Sequence, residues 1–117
     1  MPQAVEFWVV SEHKDGELLE VTLEMLGEAR RLADKVGSLV CGVLMGQGVT
    51  ELVAPVAHYG ADRVLVLEHP LLAHYTTDGF TTALADLIRE QTPTLVLIGA
   101  TANGKDLAPR MAARLQV

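Results

Sequence analysis

The chain is poor in most of the residues that announce specialised chemistry. Of its 117 residues one is cysteine, Cys41. No disulfide can close within it, and a lone thiol inside the apolar run 39–44 reads as a small core residue in a reducing compartment. Basic charge is scarce, nine Lys and Arg against fifteen Asp and Glu, for a net charge of −6. That balance argues against a nucleic-acid or anionic-membrane surface, which needs clustered cations to neutralise phosphates. No apolar run approaches the ~20 residues that span a bilayer, so no membrane insertion is expected. The opening Met1-Pro-Gln-Ala-Val-Glu6 lacks the basic start of a secretory signal. His13, His58, His69 and His74 are scattered with no ligand spacing and no Cys partner, so no metal site is expected. Ser11 and His13 lack a third group to orient the imidazole, and no catalytic constellation is visible. Repeats, low-complexity stretches and linkers are absent as well.

What is present is an ordinary globular composition, 50% apolar and 21% charged. A single domain of this length buries roughly 65% of its unfolded surface. Two periods alternate along it. Residues 5–10, Val-Glu-Phe-Trp-Val-Val, read as a first strand, with Trp8 in the core. Residues 18–36 read as a helix whose inward stripe is Leu18, Met25, Ala29, Leu32 and Val36, closed by Gly37. Residues 39–44 form a second strand, apolar enough to be covered on both faces. A shorter helix spans 50–59, with Pro55 forcing a late start or a kink. Residues 63–67 are a third strand. A loop carrying Tyr75 leads to a helix capped by Thr77 or Asp78, running to Gln91 with Phe80, Leu84, Leu87 and Ile88 inward. Residues 94–100 are a fourth strand, and a last helix carries Met111 and Leu115. Strand–helix alternation of this kind gives parallel pairing, and hence an α/β fold: a three-layer open parallel sheet with helices on both faces. No fifth strand follows the fourth, which leaves an edge open to pairing, so a homodimer of the isolated domain or a loose edge is expected there.

The stretch with most chemical content is Gly99-Ala-Thr-Ala-Asn-Gly-Lys-Asp106. Its order and spacing imitate a phosphate-binding P-loop, but that loop needs Ser or Thr after the lysine to hold magnesium, and Asp106 stands there instead. Two readings stay open. In one, Asp106 caps the last helix and the glycines merely let the chain turn. In the other, Thr101, Asn103, Gly104, Lys105 and Asp106 form an anion- or nucleotide-binding loop at a helix N-terminus, where an open parallel sheet has its switch point between the first and fourth strands.

This same stretch, extended to Leu97-Ile-Gly-Ala-Thr-Ala-Asn-Gly-Lys-Asp-Leu-Ala-Pro-Arg-Met-Ala-Ala-Arg-Leu115, resembles the alpha subunit of electron transfer flavoproteins. Supporting stretches are Val9-Val-Ser-Glu-His13, Tyr59-Gly-Ala-Asp62 and Glu68-His-Pro70. The resemblance covers nearly the whole chain and implies the N-terminal domain of that subunit, with an adenine nucleotide alpha-hydrolase-like fold, four strands in order 3-2-1-4, related to the universal stress proteins. It implies a scaffold, spanning residues 1–117, that pairs with a beta subunit. The complete heterodimer takes electrons from flavoprotein dehydrogenases, such as those for acyl-CoA, and passes them to a membrane quinone reductase. Its FAD is held mainly by a C-terminal domain that this sequence does not include. The chain alone is then expected to bind no flavin, to act as no enzyme, and to reside in a bacterial cytoplasm or a mitochondrial matrix. Tyr75, Arg110 and Arg114 are candidate contacts to the partner subunit, although Arg110 and Arg114, four apart on one helix face, also suit a solvated surface. The alternative function is a free-standing AMP- or ATP-binding module of universal-stress type.

Overall fold

A computed structural model describes residues 5–117; residues 1–4, part of the segment on which the lack of a secretory signal was read, lie outside the described residues. The elements in chain order are strands β1 (Glu6–Val10), β2 (His13–Lys14) and β3 (Glu17–Leu18), helix α1 (Glu20–Val36), β4 (Leu39–Gly46), α2 (Val53–His58), β5 (Arg63–Glu68), α3 (Thr77–Gln91), β6 (Leu95–Leu97) and α4 (Ala102–Leu115). Single 3-10 turns at Thr50–Leu52 and Pro70–Leu72 lead into α2 and the loop before α3.

The main sheet has the order β5-β4-β1-β6 and every pair in it is parallel. The four strands expected from the sequence thus lie 3-2-1-4, with β1 and β4 in the middle. Trp8 stands opposite Cys41 and Val96, and Cys41 opposite Arg63. Alternation along the strands divides the core in two. Trp8, Val10, Cys41, Val43 and Met45 pack with Leu84, Leu107 and Met111 of α3 and α4, whereas Val9, Val40 and Leu44 pack with Leu26, Ala29 and Ala33 of α1 and Val56 of α2. Gly37 closes α1 in the left-handed region (φ 71°), as its position suggested, and Ser38 N–H bonds back to Ala33 C=O.

Several expectations shift. A two-stranded hairpin, β2–β3, follows β1, so Leu18 belongs to the hairpin and α1 begins at Glu20. The buried stripe of α1 is Thr22, Leu26, Ala29 and Ala33; Val36 is 63% exposed. The helical period was right and its phase was not. The hairpin sets that phase: the Thr22 hydroxyl bonds the backbone of Glu12, turning residue 22 inward, and positions 26, 29 and 33 follow it on the same face. The 50–59 helix does start late, after the 3-10 turn, with Pro55 in the first turn of α2 where its missing N–H leaves nothing unpaired. Thr76, rather than Thr77 or Asp78, caps α3, its hydroxyl accepting from Gly79 N–H. β6 keeps three residues where seven were expected, because the chain leaves the sheet at Ile98 and Gly99. Gly99 turns in against α1, where an added Cβ would lie 3.2 Å from Val21. Among the described residues no strand flanks β6 on its outer side. A shallow apolar groove of about 710 Å³ runs there, between residues 94–98 and the Met111 and Leu115 side chains of α4.

Candidate functional site

The carboxyl ends of β1, β4 and β6 converge on a half-open cleft of about 90 Å³ at the switch point of the sheet. Ser11, Glu12 and His13 line it from the chain after β1, Tyr75 from the loop before α3, and Asn103 and Gly104 from the first turn of α4. Its polar walls are largely committed to one another. The Ser11 hydroxyl donates to Val9 C=O at 3.1 Å, and His13 Nε2–H donates to Met45 C=O at 2.9 Å. Ser11 and His13 therefore serve different carbonyls and form no dyad.

The loop read from sequence as a P-loop imitation is mostly helix. α4 starts at Ala102, and its cap is Thr101, whose extended backbone (φ −78°, ψ 171°) lets the hydroxyl accept from Gly104 N–H at 3.0 Å. Asp106 is thus not the cap; it lies five residues further on, inside the second turn. The early start is possible because position 104 is glycine. A Cβ there would sit 1.8 Å from the Gly99 carbonyl oxygen, so the first turn of α4 packs directly on the end of β6. The glycine serves helix-to-strand packing. Asn103 and Gly104 border the cleft; Lys105 is exposed and does not.

Asp106 instead anchors the loop above the cleft. Tyr75 OH and Thr77 Oγ1 both donate to its Oδ2 at 2.6 Å, and Arg110 Nε stands 3.9 Å from its Oδ1. The hydrogen bonds from Thr77 and Tyr75 hold the Asp106 carboxyl below the usual carboxylate range. Burial first, and then the facing carboxylate, push the Tyr75 phenol up to about 12. Tyr75 also packs on Phe80, ring centroids 5.0 Å apart. Of the three residues considered for partner contact, Tyr75 and Arg110 thus meet at Asp106. Arg114 lies one turn on, donating to Thr82 Oγ1 at 2.9 Å, while its own C=O accepts from Arg89.

Two carboxylates went unnoticed in the sequence. Glu12 receives the Thr101 hydroxyl, whose Oγ1 lies 2.7 and 2.9 Å from its two carboxylate oxygens. The fragment Ser11-Glu-His13 after a strand carried the signal, but its partner is 89 residues away. Glu6, at the opposite end of the sheet and only 8% exposed, accepts Trp8 Nε1–H at 2.5 Å and a two-pronged contact from Arg63, Nε at 2.7 Å and Nη2 at 2.5 Å. Arg63 holds this carboxyl below its ordinary value, against the opposing effect of burial. Cys41 lies buried beside the pair, and desolvation raises its thiol to about 11, the behaviour of an inert core residue.

A parallel four-stranded sheet with helices on both faces and a cleft at its switch point defines an open, doubly wound α/β domain. A universal stress protein from Archaeoglobus fulgidus superposes with a TM-score of 0.54 over 92% of both chains, at 13% identity. A universal stress protein solved in complex with cAMP superposes with a TM-score of 0.55 over 96% of this chain and 91% of its own, at 17% identity. At these identities the likeness is one of fold. The sequence itself narrows the class. Residues 7–117 match the electron transfer flavoprotein domain model, and the chain belongs to the electron transfer flavoprotein family. It is 46% identical over 110 residues to the electron transfer flavoprotein subunit alpha of Thermoanaerobacterium thermosaccharolyticum, which covers 94% of this chain and 33% of that relative. It is 44% identical over 110 residues to the acryloyl-CoA reductase electron transfer subunit beta of Anaerotignum propionicum, 94% of this chain and 30% of the relative, and 48% identical over 108 residues to the protein FixB of Clostridium saccharobutylicum, 92% and 32%. The expected alpha-subunit character is borne out by these matches, and the chain spans about a third of the length of such relatives. Among the described residues no helix is long and apolar enough to cross a membrane.

Proposed function

We propose that this chain is a non-catalytic scaffold domain of an electron transfer flavoprotein alpha subunit. It pairs with a beta subunit and supports a flavin site that lies elsewhere in the assembled protein. The observation that carries this reading is the match of residues 7–117 to the family together with a cleft far below the roughly 300–1,000 Å³ of ordinary ligand pockets. FAD does not fit the switch-point cleft. The cleft takes little more than a few waters, its polar groups bond within the chain, and no Lys or Arg lines it to meet a pyrophosphate. In the complete heterodimer, FAD bound mainly by a C-terminal domain carries electrons from flavoprotein dehydrogenases, acyl-CoA dehydrogenases among them, toward the respiratory chain. The setting is a bacterial cytoplasm or, in a eukaryote, a mitochondrial matrix. Tyr75, Arg110 and Arg114 remain the proposed partner contacts, the two arginines exposed and Tyr75 partly buried. When the chain stands alone, its uncovered β6 edge is expected to favour a homodimer, which sedimentation velocity reads directly.

The fold neighbour solved with cAMP supports a second reading, a nucleotide-binding module that uses Thr101 to Asp106. The two separate in one set of experiments. Under the scaffold reading, the chain co-purifies with a co-expressed beta subunit, stays colourless with excess FAD, and gives no heat with AMP or ATP in a calorimeter. Micromolar nucleotide binding that is lost in Lys105→Ala, with no capture of the beta subunit, replaces the first reading by the second.

A further inference from the structure

The switch-point cleft presents the positive end of α4, a position that in parallel α/β folds attracts anions. Here the chain brings its own anion to that place. Three hydrogen bonds fix the backbone of Glu12: its N–H donates to Thr22 Oγ1 at 2.8 Å, and its C=O accepts from Thr22 Oγ1 at 3.2 Å and from Leu19 N–H at 3.0 Å. Thr22 is fully buried and Leu19 is the cap residue of α1, so the position of Glu12 is set by the start of that helix. From this fixed base the Glu12 side chain reaches the cap of α4. Gly104 N–H donates to Thr101 Oγ1, and Thr101 Oγ1–H donates onward, shared between the two Glu12 oxygens. The carboxylate thereby completes a chain of bonds that begins at a helix N–H, and each bond polarises the next.

The geometry points to Glu12 as a resident anion that closes the α4 terminus to phosphates and carboxylates from solution. Two features stand apart from the hydrogen bonds themselves. The cleft has Glu12 in its wall and neither Lys nor Arg, since Lys105 is exposed outside it. The remaining donor of positive character, His13 Nε2–H, is turned to Met45 C=O. An incoming phosphate would meet a fixed negative charge within hydrogen-bond distance of the hydroxyl that caps α4. Glu12 is therefore a specificity-determining residue that works by exclusion, and the same contact ties the end of β1 to α4. This inference concerns the cleft alone and does not depend on the role in electron transfer.

Replacing the resident carboxylate by one from solution tests it. Thermal melts of the whole chain are followed by circular dichroism in sodium chloride, sodium formate and sodium phosphate at equal ionic strength. Comparison with the parent chain removes the general stabilisation by excluded salts. Glu12→Ala is expected to melt below the parent in chloride and to recover in formate or phosphate by roughly 4 °C more than the parent does, a shift readily read for a domain of this size. Should that variant not fold, Glu12→Gln keeps the acceptor for Thr101 and loses the charge; its phosphate response is then expected to exceed the parent's, with isothermal titration by phosphate as a second readout. Adding Thr101→Val to either variant is expected to abolish the response. A parent chain that itself binds phosphate, or a folded variant whose anion response equals the parent's, overturns the inference.

Discussion

Arg63 reaches from the edge strand β5 over β4 to hold Glu6 on β1, two guanidinium nitrogens on two carboxylate oxygens. The pair ties three strands together at the end of the sheet opposite the cleft. Glu6 is the buried partner, and Arg63 keeps 42% of its side chain exposed.

Removing the cation alone strands a buried carboxylate. Arg63→Met is expected to cost about 2 kcal/mol at neutral pH, less than the roughly 3–5 of a fully buried pair because Arg63 is half in solvent. The acid limb fixes the sign. Glu6 has a depressed folded value, so its contribution is complete above the ordinary carboxylate range and is lost as pH falls through the folded value. In the variant the buried carboxyl prefers to be neutral. The gap between parent and variant in urea melts should therefore narrow as pH falls from 7 toward the ordinary carboxylate range (~4); a gap that is constant with pH would contradict the assignment.

Two glycine substitutions should move in opposite directions. Gly104→Ala places a methyl on the Gly99 carbonyl and is expected to destabilise by about 3 kcal/mol, as overpacking does. Gly27→Ala, on the exposed face of α1 with nothing within 4 Å of the added methyl, is expected to stabilise by roughly 0.5–1 kcal/mol. Chemical denaturation of the two variants beside the parent decides the point.

The Tyr75–Asp106 contact predicts a feature at alkaline pH. The raised phenol of the folded state favours the protonated form, so stability falls as pH rises from the ordinary tyrosine range, ~10, toward about 12. Asp106→Asn removes the facing charge. Ultraviolet titration is expected to show the Tyr75 transition moving down, and the alkaline loss of stability becoming smaller. An unmoved transition would mean that burial alone sets the value.

Thr22 is replaceable in shape but not in hydrogen bonding. Thr22→Val leaves the Glu12 N–H without its partner and is expected to cost about 1–3 kcal/mol. Thr22→Ser, which keeps the hydroxyl, should cost less. Equal losses in the two variants would show that the methyl, and not the bond, matters.

Much of the architecture was legible in the sequence because strand and helix periods alternate cleanly and each apolar run is short. The parallel α/β class and the inward residues of α3 followed, and the resemblance carried by residues 97–115 implied the strand order and pointed to the family that the matches bear out. What failed was local and had long-range causes. The phase of α1 depends on a hairpin of two-residue strands, too short to show a period, and on the Thr22–Glu12 bonds. Two glycines suggested a loop, with Asp106 as a cap in one of the two readings of it, whereas Thr101 caps α4 and Gly104 lets the helix touch a strand. The Glu12–Thr101 and Glu6–Arg63 pairs join residues 89 and 57 positions apart, and no local pattern announces them.

Trp8, the single tryptophan, is fully enclosed at the centre of the sheet with its indole N–H on the Glu6 carboxylate. Its fluorescence accordingly reports on the integrity of the interior and is blind to what covers the outside. A subunit that docks without disturbing the sheet will leave that emission unchanged, so the docking needs a reporter at the surface, such as Tyr59 or a label beside Arg110. A change in indole emission on mixing would mean instead that the strands themselves had yielded.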